Sequence, residues 1–177
     1  MLNTFGKPII PLNEEERIQM LRAYKISNTP PESYFNNLAH LIAKCFETPI
    51  ALISLVDTEH VFFKANVGME DTMSVPRGIS LCSLAILEPQ PTIFEDALKE
   101  PCLLANPLVV GNFGLRFYAG APIITPEGFN IGTVCVVDKK PREFTPLEVD
   151  LLKRFASSVM EAIIERKETI EKGQNSK

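Results

Sequence analysis

The sequence predicts an α+β domain built on a mainly antiparallel sheet. Three observations lead there. Apolar residues recur with the helical period near both ends of the chain. Two pairs of apolar runs lie between them, each pair joined by a short polar or Pro/Gly connection, as in β-hairpins. No long helix separates the members of a pair, as a parallel crossover would require. At 177 residues, 45% hydrophobic and 23% charged, the chain has single-domain size and ordinary globular composition.

Residues 1–12 read as an irregular lead-in, 13–172 as one domain and 173–177 as a polar, frayed tail. Asn13 with Glu16 three residues on, and acidic residues filling the first turn, predicts a helix from about 14 to 25. Its apolar side is Ile18, Leu21 and Tyr24. Thr29-Pro30-Pro31-Glu32 has the form of a capping box with proline at the first helical position. In the helix that follows, Phe35, Leu38, Ala39, Ile42, Cys45 and Phe46 share one stripe.

The period then changes. Ile50 to Val56 is continuously apolar, which predicts a strand covered on both faces and central in its sheet. After the polar connection Asp57-Thr58-Glu59-His60, the residues Val61, Phe63, Ala65 and Val67 alternate with Phe62, Lys64 and Asn66 in a second, antiparallel strand. Residues 68–116 are rich in Pro and Gly, with a short helix expected at Ser80–Leu87 capped by Ser80 and a short strand at Thr92–Phe94. A long loop in this stretch would be a binding loop. A second hairpin joins Phe117–Ile124 to Ile131–Asp138 through the turn Thr125-Pro126-Glu127-Gly128-Phe129-Asn130. Thr145-Pro146-Leu147-Glu148 is another capping box, flanked by Phe144 and Val149 as a hydrophobic staple. The last helix runs to about 171, with Leu151, Leu152, Phe155, Val159, Ala162 and Ile163 spread over a wide apolar arc.

Composition excludes several functions. A net charge of −4 offers no basic excess for a row of phosphates, so no nucleic-acid partner is expected. The longest apolar runs are far short of the roughly 20 residues that span a bilayer, and Met1–Leu12 lacks the apolar stretch of a secretory signal. A cytoplasmic domain without a membrane partner is therefore expected. Cys45, Cys82, Cys102 and Cys135 contain no CxxC and have only His40 and His60 beside them, so no metal site is expected. Cys45 and Cys135 read as buried small hydrophobes, and Cys82 and Cys102 as the two with chemical potential.

The chain resembles the GAF family of small-molecule sensor domains, in the subgroup found at the N-terminus of bacterial sensor histidine kinases and diguanylate cyclases. The matching words include Thr29-Pro30-Pro31-Glu32, Pro49-Ile50-Ala51-Leu52-Ile53-Ser54-Leu55-Val56-Asp57 and Phe63-Lys64-Ala65. They continue with Ser80-Leu81-Cys82, Asn106-Pro107-Leu108-Val109, Arg116-Phe117-Tyr118-Ala119-Gly120 and Ile131-Gly132-Thr133-Val134-Cys135, in family order over roughly 13–165. The resemblance implies a PAS-like fold, with a sheet of about six strands, terminal helices on one face and a ligand pocket under loops and short helices on the other. It implies sensing or dimer-mediated signalling rather than catalysis. The subgroup's His two residues after the cysteine of the Ser-x-Cys word is here Leu84, and no cyclic-nucleotide-type motif is evident. Ser83 follows Cys82, so the Cys-His pair of bilin-binding relatives is missing too.

The expected pocket comprises Ser54, Phe63, Ser80, Cys82, Asn106, Arg116 and Tyr118. Ser80 and Cys82, at a loop-to-helix entry, either hold an anionic group or are a cap and a buried thiol. Arg116, with Tyr118 as second donor, either clamps a carboxylate or phosphate or makes an ion pair with Asp96 or Glu95. Asn106 either starts a turn before Pro107 or faces the pocket. Gly120 leaves room for another backbone or for a pocket. The ligand and any cofactor are unidentified at this level. The wide apolar arc of the last helix suggests a homodimer through the terminal helices. Output would pass to a separate signalling protein unless the chain is a fragment of a longer sensor, the polar end being expected as a natural terminus. The alternative is a reductase of free methionine-R-sulfoxide, which the same fold serves with two or three cysteines. Cys82 falls near one of those positions, but the downstream cysteine would fall near Ala105, not Cys102.

Overall fold

The apolar run at 50–56 becomes the middle of the sheet. The computed structural model of the chain describes residues 2–175. Its elements are α1 (Glu14–Ala23), α2 (Ser33–Phe46), β1 (Ile50–Val56), β2 (His60–Val67), β3 (Ser74–Pro76), α3 (Cys82–Ala85) and β4 (Thr92–Phe94). Two short 3-10 turns at Ala97–Lys99 and Pro101–Leu103 lead to α4 (Pro107–Val110), β5 (Phe117–Ile124), β6 (Asn130–Asp138) and α5 (Pro146–Asn175). The six strands form one antiparallel sheet in the order β3-β2-β1-β6-β5-β4. β1 is thus paired on both edges and buried along its whole length, as a run apolar at every position but Ser54 requires.

Each face of the sheet carries its own core. On one face Leu21, Phe35, Ile42, Leu152 and Val159, from α1, α2 and α5, cover Ile53, Phe117 and Val134. On the other, Leu84, Leu103 and Val109 roof Leu52, Val61 and Cys135. The lead-in has no regular structure, but it is packed: Phe5 and Ile9 are buried in this second core, and the Thr4 amide donates to the Gly78 carbonyl at 3.0 Å.

Four local expectations are corrected. First, β2 does not keep one set of side chains on one face. Ile53 pairs with Ala65 but Ser54 with Phe63, so Lys64 is an extra, bulged residue. Val61 and Phe63 therefore face the roof, while Ala65 and Val67 join the helical face. Lys64 explains the bulge. Its buried ammonium donates to Thr29 Oγ1 (2.7 Å), the Pro30 carbonyl (2.8 Å) and Glu32 Oε1 (2.6 Å). Second, the same contacts dismantle the capping box at 29–32. α2 starts at Ser33, and its N-cap Glu32 makes no side-chain cap bond. Charge-assisted bonds to a buried ammonium are stronger than a solvated cap. Third, Ser80 does not cap α3, which is only four residues long with Leu81 at its N-cap. Fourth, Cys45 is exposed, because α2 meets the sheet along the narrower line Phe35, Ala39, Ile42, Phe46.

The box at 145–148 does form. The Thr145 amide donates to Glu148 Oε2 at 2.7 Å, and the Glu148 amide returns a bond to Thr145 Oγ1 at 3.3 Å. α5 then continues past the expected end to Asn175, so the tail is helical as far as it is described, and residues 176–177 lie outside the described residues. No helix among the described residues is long and apolar enough to cross a membrane.

Candidate functional site

The roof over the second face is built from residues with few regular hydrogen bonds of their own, so buried polar side chains hold it. Arg77 is fully buried. It donates to the carbonyls of Asp57 (3.0 Å) and Ile9 (3.3 Å) and to Glu14 Oε2 of α1 at 3.1 Å. Arg17, also buried, grips the same carboxylate and the Val56 carbonyl at 2.7 Å. Glu14 is therefore a bridge between two guanidiniums, beyond any service to the helix terminus. Burial would raise its pKa, but the bonds from Arg77 and then Arg17 outweigh this and hold it below the usual range.

Under this roof lies a cavity of about 40 Å³. Leu52, Phe63, Tyr118 and Cys135 form its sheet side, and Ser80, Leu81 and Cys82 come from the entry to α3. Half-buried Met69, Val75, Leu108 and Phe113 make its rim. The volume admits water-sized molecules, well short of the roughly 300 Å³ of an ordinary ligand pocket. Any larger ligand must part the rim.

The polar atoms at the cavity cluster around sulfur. Cys82 Sγ lies 3.8 Å from Cys135 Sγ. The Tyr118 hydroxyl donates to Cys82 Sγ at 3.6 Å, and the Cys82 thiol reaches Ser54 Oγ at 3.6 Å. Gly120 makes this possible. It stands two residues along β5 from Tyr118, and a Cβ there would overlap the phenol ring and its hydroxyl. Proton sharing with Cys135 draws the Cys82 thiol down to about 6 against the opposing effect of burial, with the hydroxyls of Thr133, Ser54 and Tyr118 assisting. The Cys135 thiol is pushed up, because it keeps the shared proton and is buried beside the negative charge. Burial raises the Tyr118 phenol likewise.

The seven expected pocket residues divide. Phe63, Ser80, Cys82 and Tyr118 line the cavity, and Ser54 stands behind Cys82. Asn106 and Arg116 are not among the lining residues. Asn106 is buried as the N-cap of α4: its Oδ1 accepts from the Leu108 amide at 2.9 Å, and its Nδ2 donates to Thr4 Oγ1 and the Ile79 carbonyl. Arg116 donates to the carbonyls of Val109 (2.9 Å) and Leu115 (2.8 Å), closing the end of α4 rather than forming the expected pair with Asp96 or Glu95. Cys102 is half-buried and away from the cavity lining. Cys135 is buried, as its apolar strand predicts, and it also lines the cavity beside Cys82, a contact the sequence does not show. An apolar strand hides a thiol whose partner is 53 residues away. No group of three or more His, Cys, Asp or Glu among the described residues is placed to hold a metal ion.

Comparison with known proteins places this arrangement. The model of the GAF domain family matches residues 30–163. A cyclic di-GMP phosphodiesterase of Pseudomonas aeruginosa is 36% identical over 157 residues, covering 88% of this chain. The chain spans only 27% of that relative's length. Among solved structures, the GAF domain of an Acinetobacter phosphoenolpyruvate-protein phosphotransferase superposes with a TM-score of 0.63 at 14% identity, over 88% of this chain and 95% of the other. The type II free methionine-R-sulfoxide reductase of Thermoplasma acidophilum gives a TM-score of 0.62 at 18% identity, over 75% and 92%. At such identities the likeness is one of fold.

Proposed function

The chain belongs to the GAF domain family, and from that premise we propose that it is a non-enzymatic sensor module whose roofed cavity receives a small molecule and whose terminal helix carries the response. The observation that carries this reading is that neighbouring residues of β2 touch both places. Phe63 lines the cavity. Lys64, the bulged residue beside it, holds Glu32 at 2.6 Å, and the same Glu32 oxygen accepts from Arg166 of α5 at 2.7 Å. A ligand that shifts Phe63 strains the bulge and with it the anchor of α5. A helix packed on the sheet and in a bundle can convert such a shift into a change of interface.

In this reading the homodimer forms through the terminal helices. Tyr34 and Leu41 of α2 are exposed, and α5 is about 45 Å long at 1.5 Å per residue, with residues 171–174 exposed. The phosphodiesterase activity of the Pseudomonas relative is not carried over, since this chain corresponds to about a quarter of it. The reductase reading draws only on fold likeness and on Cys82.

Native mass spectrometry on gently purified protein tests the proposal. The expected result is a reproducible non-covalent adduct on a dimer of 19.7 kDa chains, weakened in Tyr118→Phe. A clean dimer without adduct would favour a docking module instead. Turnover of free methionine-R-sulfoxide with a thiol reductant, lost in Cys82→Ser, would overturn the non-enzymatic reading.

A further inference from the structure

We propose that Cys82 and Cys135 are a peroxide-oxidisable dithiol, a modification site that closes to an intramolecular disulfide beneath the roof. The assignment stands on the thiol geometry and is independent of whether the cavity takes a ligand.

Four features meet at this pair. The sulfurs are in van der Waals contact, 3.8 Å apart, on elements remote in sequence. Both line the cavity of about 40 Å³, which exceeds the roughly 10–15 Å³ that one water occupies and so admits hydrogen peroxide. The half-buried rim of Met69, Val75, Leu108 and Phe113 is the route in. The Tyr118 and Ser54 hydroxyls flank Cys82 Sγ at 3.6 Å and can donate to a thiolate there. Closure to a bond of about 2.05 Å needs one sulfur to move. Cys135 is held in β6 between Leu52 of β1 and Gly120 of β5. Cys82 opens a four-residue helix set between irregular segments. Cys82 is therefore the sulfur that moves, and it is also the nucleophile.

The reaction balances with hydrogen peroxide as the oxidant. The Cys82 thiolate attacks one peroxide oxygen, an S–O bond forms and the O–O bond breaks. The departing oxygen takes up the proton that Cys82 released and leaves as water. Cys135 sulfur then attacks the sulfenic sulfur, forming the S–S bond. The S–O bond breaks, and the hydroxyl leaves as a second water with the Cys135 proton. Two thiols lose two electrons, and one peroxide becomes two waters. Neither half-buried Cys102 nor exposed Cys45 has a thiol partner among the described residues.

The test uses the full, native chain. It is treated with a small excess of hydrogen peroxide, quenched, alkylated in denaturant and mapped by mass spectrometry. The expected product has lost two hydrogens and keeps two of its four thiols alkylatable. Its proteolytic map links the peptides of Cys82 and Cys135, and dithiothreitol reverses the change. Alkylation of all four thiols, a linkage between any other pair, or sulfinic acid at Cys82 without linkage would each overturn the proposal. In Cys135→Ala, peroxide should leave a sulfenic acid on Cys82 that dimedone traps. Loss of two hydrogens in that variant would equally overturn it. The wild-type map decides the matter even if the variant fails to fold.

Discussion

Glu14 accepts from two buried guanidiniums, so the acid limit of this fold is set partly at one carboxylate. Its folded pKa lies below the ordinary 4.5. The stabilisation is therefore fully present above about pH 4.5 and is lost as pH falls through the folded value. Glu14→Gln should lower stability at neutral pH by about 1–3 kcal/mol and flatten the loss below pH 4.5, as read by thermal melts across pH. A melt profile unchanged in acid would assign the effect elsewhere. At the cavity, Gly120→Ala forces a methyl into the Tyr118 ring. The expected penalty is about 1–3 kcal/mol, the range for overpacking a core. Tyr118→Phe in the same chain should recover part of it, because the hydroxyl is the nearest of the overlapping atoms. Strict additivity in that double-mutant cycle would show that the two side chains do not compete for space.

Two segments with the same capping-box form behave differently. Thr145–Glu148 lies on the surface with no rival partner, so the local motif governs and α5 starts where the pattern says. Thr145→Ala should cost about 1 kcal/mol, typical of a lost N-cap, measured by denaturant titration. Thr29–Glu32 lies against Lys64, a residue 32–35 positions away, and the ammonium takes both side chains. No local pattern contains that information. The same competition makes β2 bulge and divides Val61 and Phe63 from Ala65 and Val67. Lys64→Met should therefore act at a distance. It frees Glu32 from one partner and loosens the anchor of Arg166, so amide exchange in α5 near Arg166 should quicken while the centre of β6 stays protected. Equal protection of α5 in the variant and the parent would break the proposed link between cavity and terminal helix.

For the molecule as a whole, a sheet with a core on each face assigns different work to each side. The helical face holds α1, α2 and α5, and the other holds a roof of loops and short helices. In the proposed dimer, light scattering at tens of micromolar should report twice the chain mass, and a monomer would count against pairing through the helices. The architecture was legible from periodicity, because burial on one or two faces imposes a repeat of 3.6 or 2 that side chains cannot hide. The largely apolar β1, both hairpins and the Thr145 cap are local consequences of that rule and of turn chemistry. The family followed from ordered words distributed over the same elements. The site was legible only in part. Asn106 and Arg116 are polar residues beside apolar ones, which resembles a pocket in one dimension. In three dimensions Asn106 Nδ2 donates to Thr4 Oγ1 and the Ile79 carbonyl, and Arg116 Nη1 to the carbonyls of Val109 and Leu115, all outside the cavity lining. Cys135 fills its strand as expected, and only the placement of α3 across the sheet brings Cys82 to it. Buried hydrogen bonds and thiol contacts join residues far apart in the chain. Their geometry belongs to the packed state, where each polar group must take whichever partner the folded neighbours present.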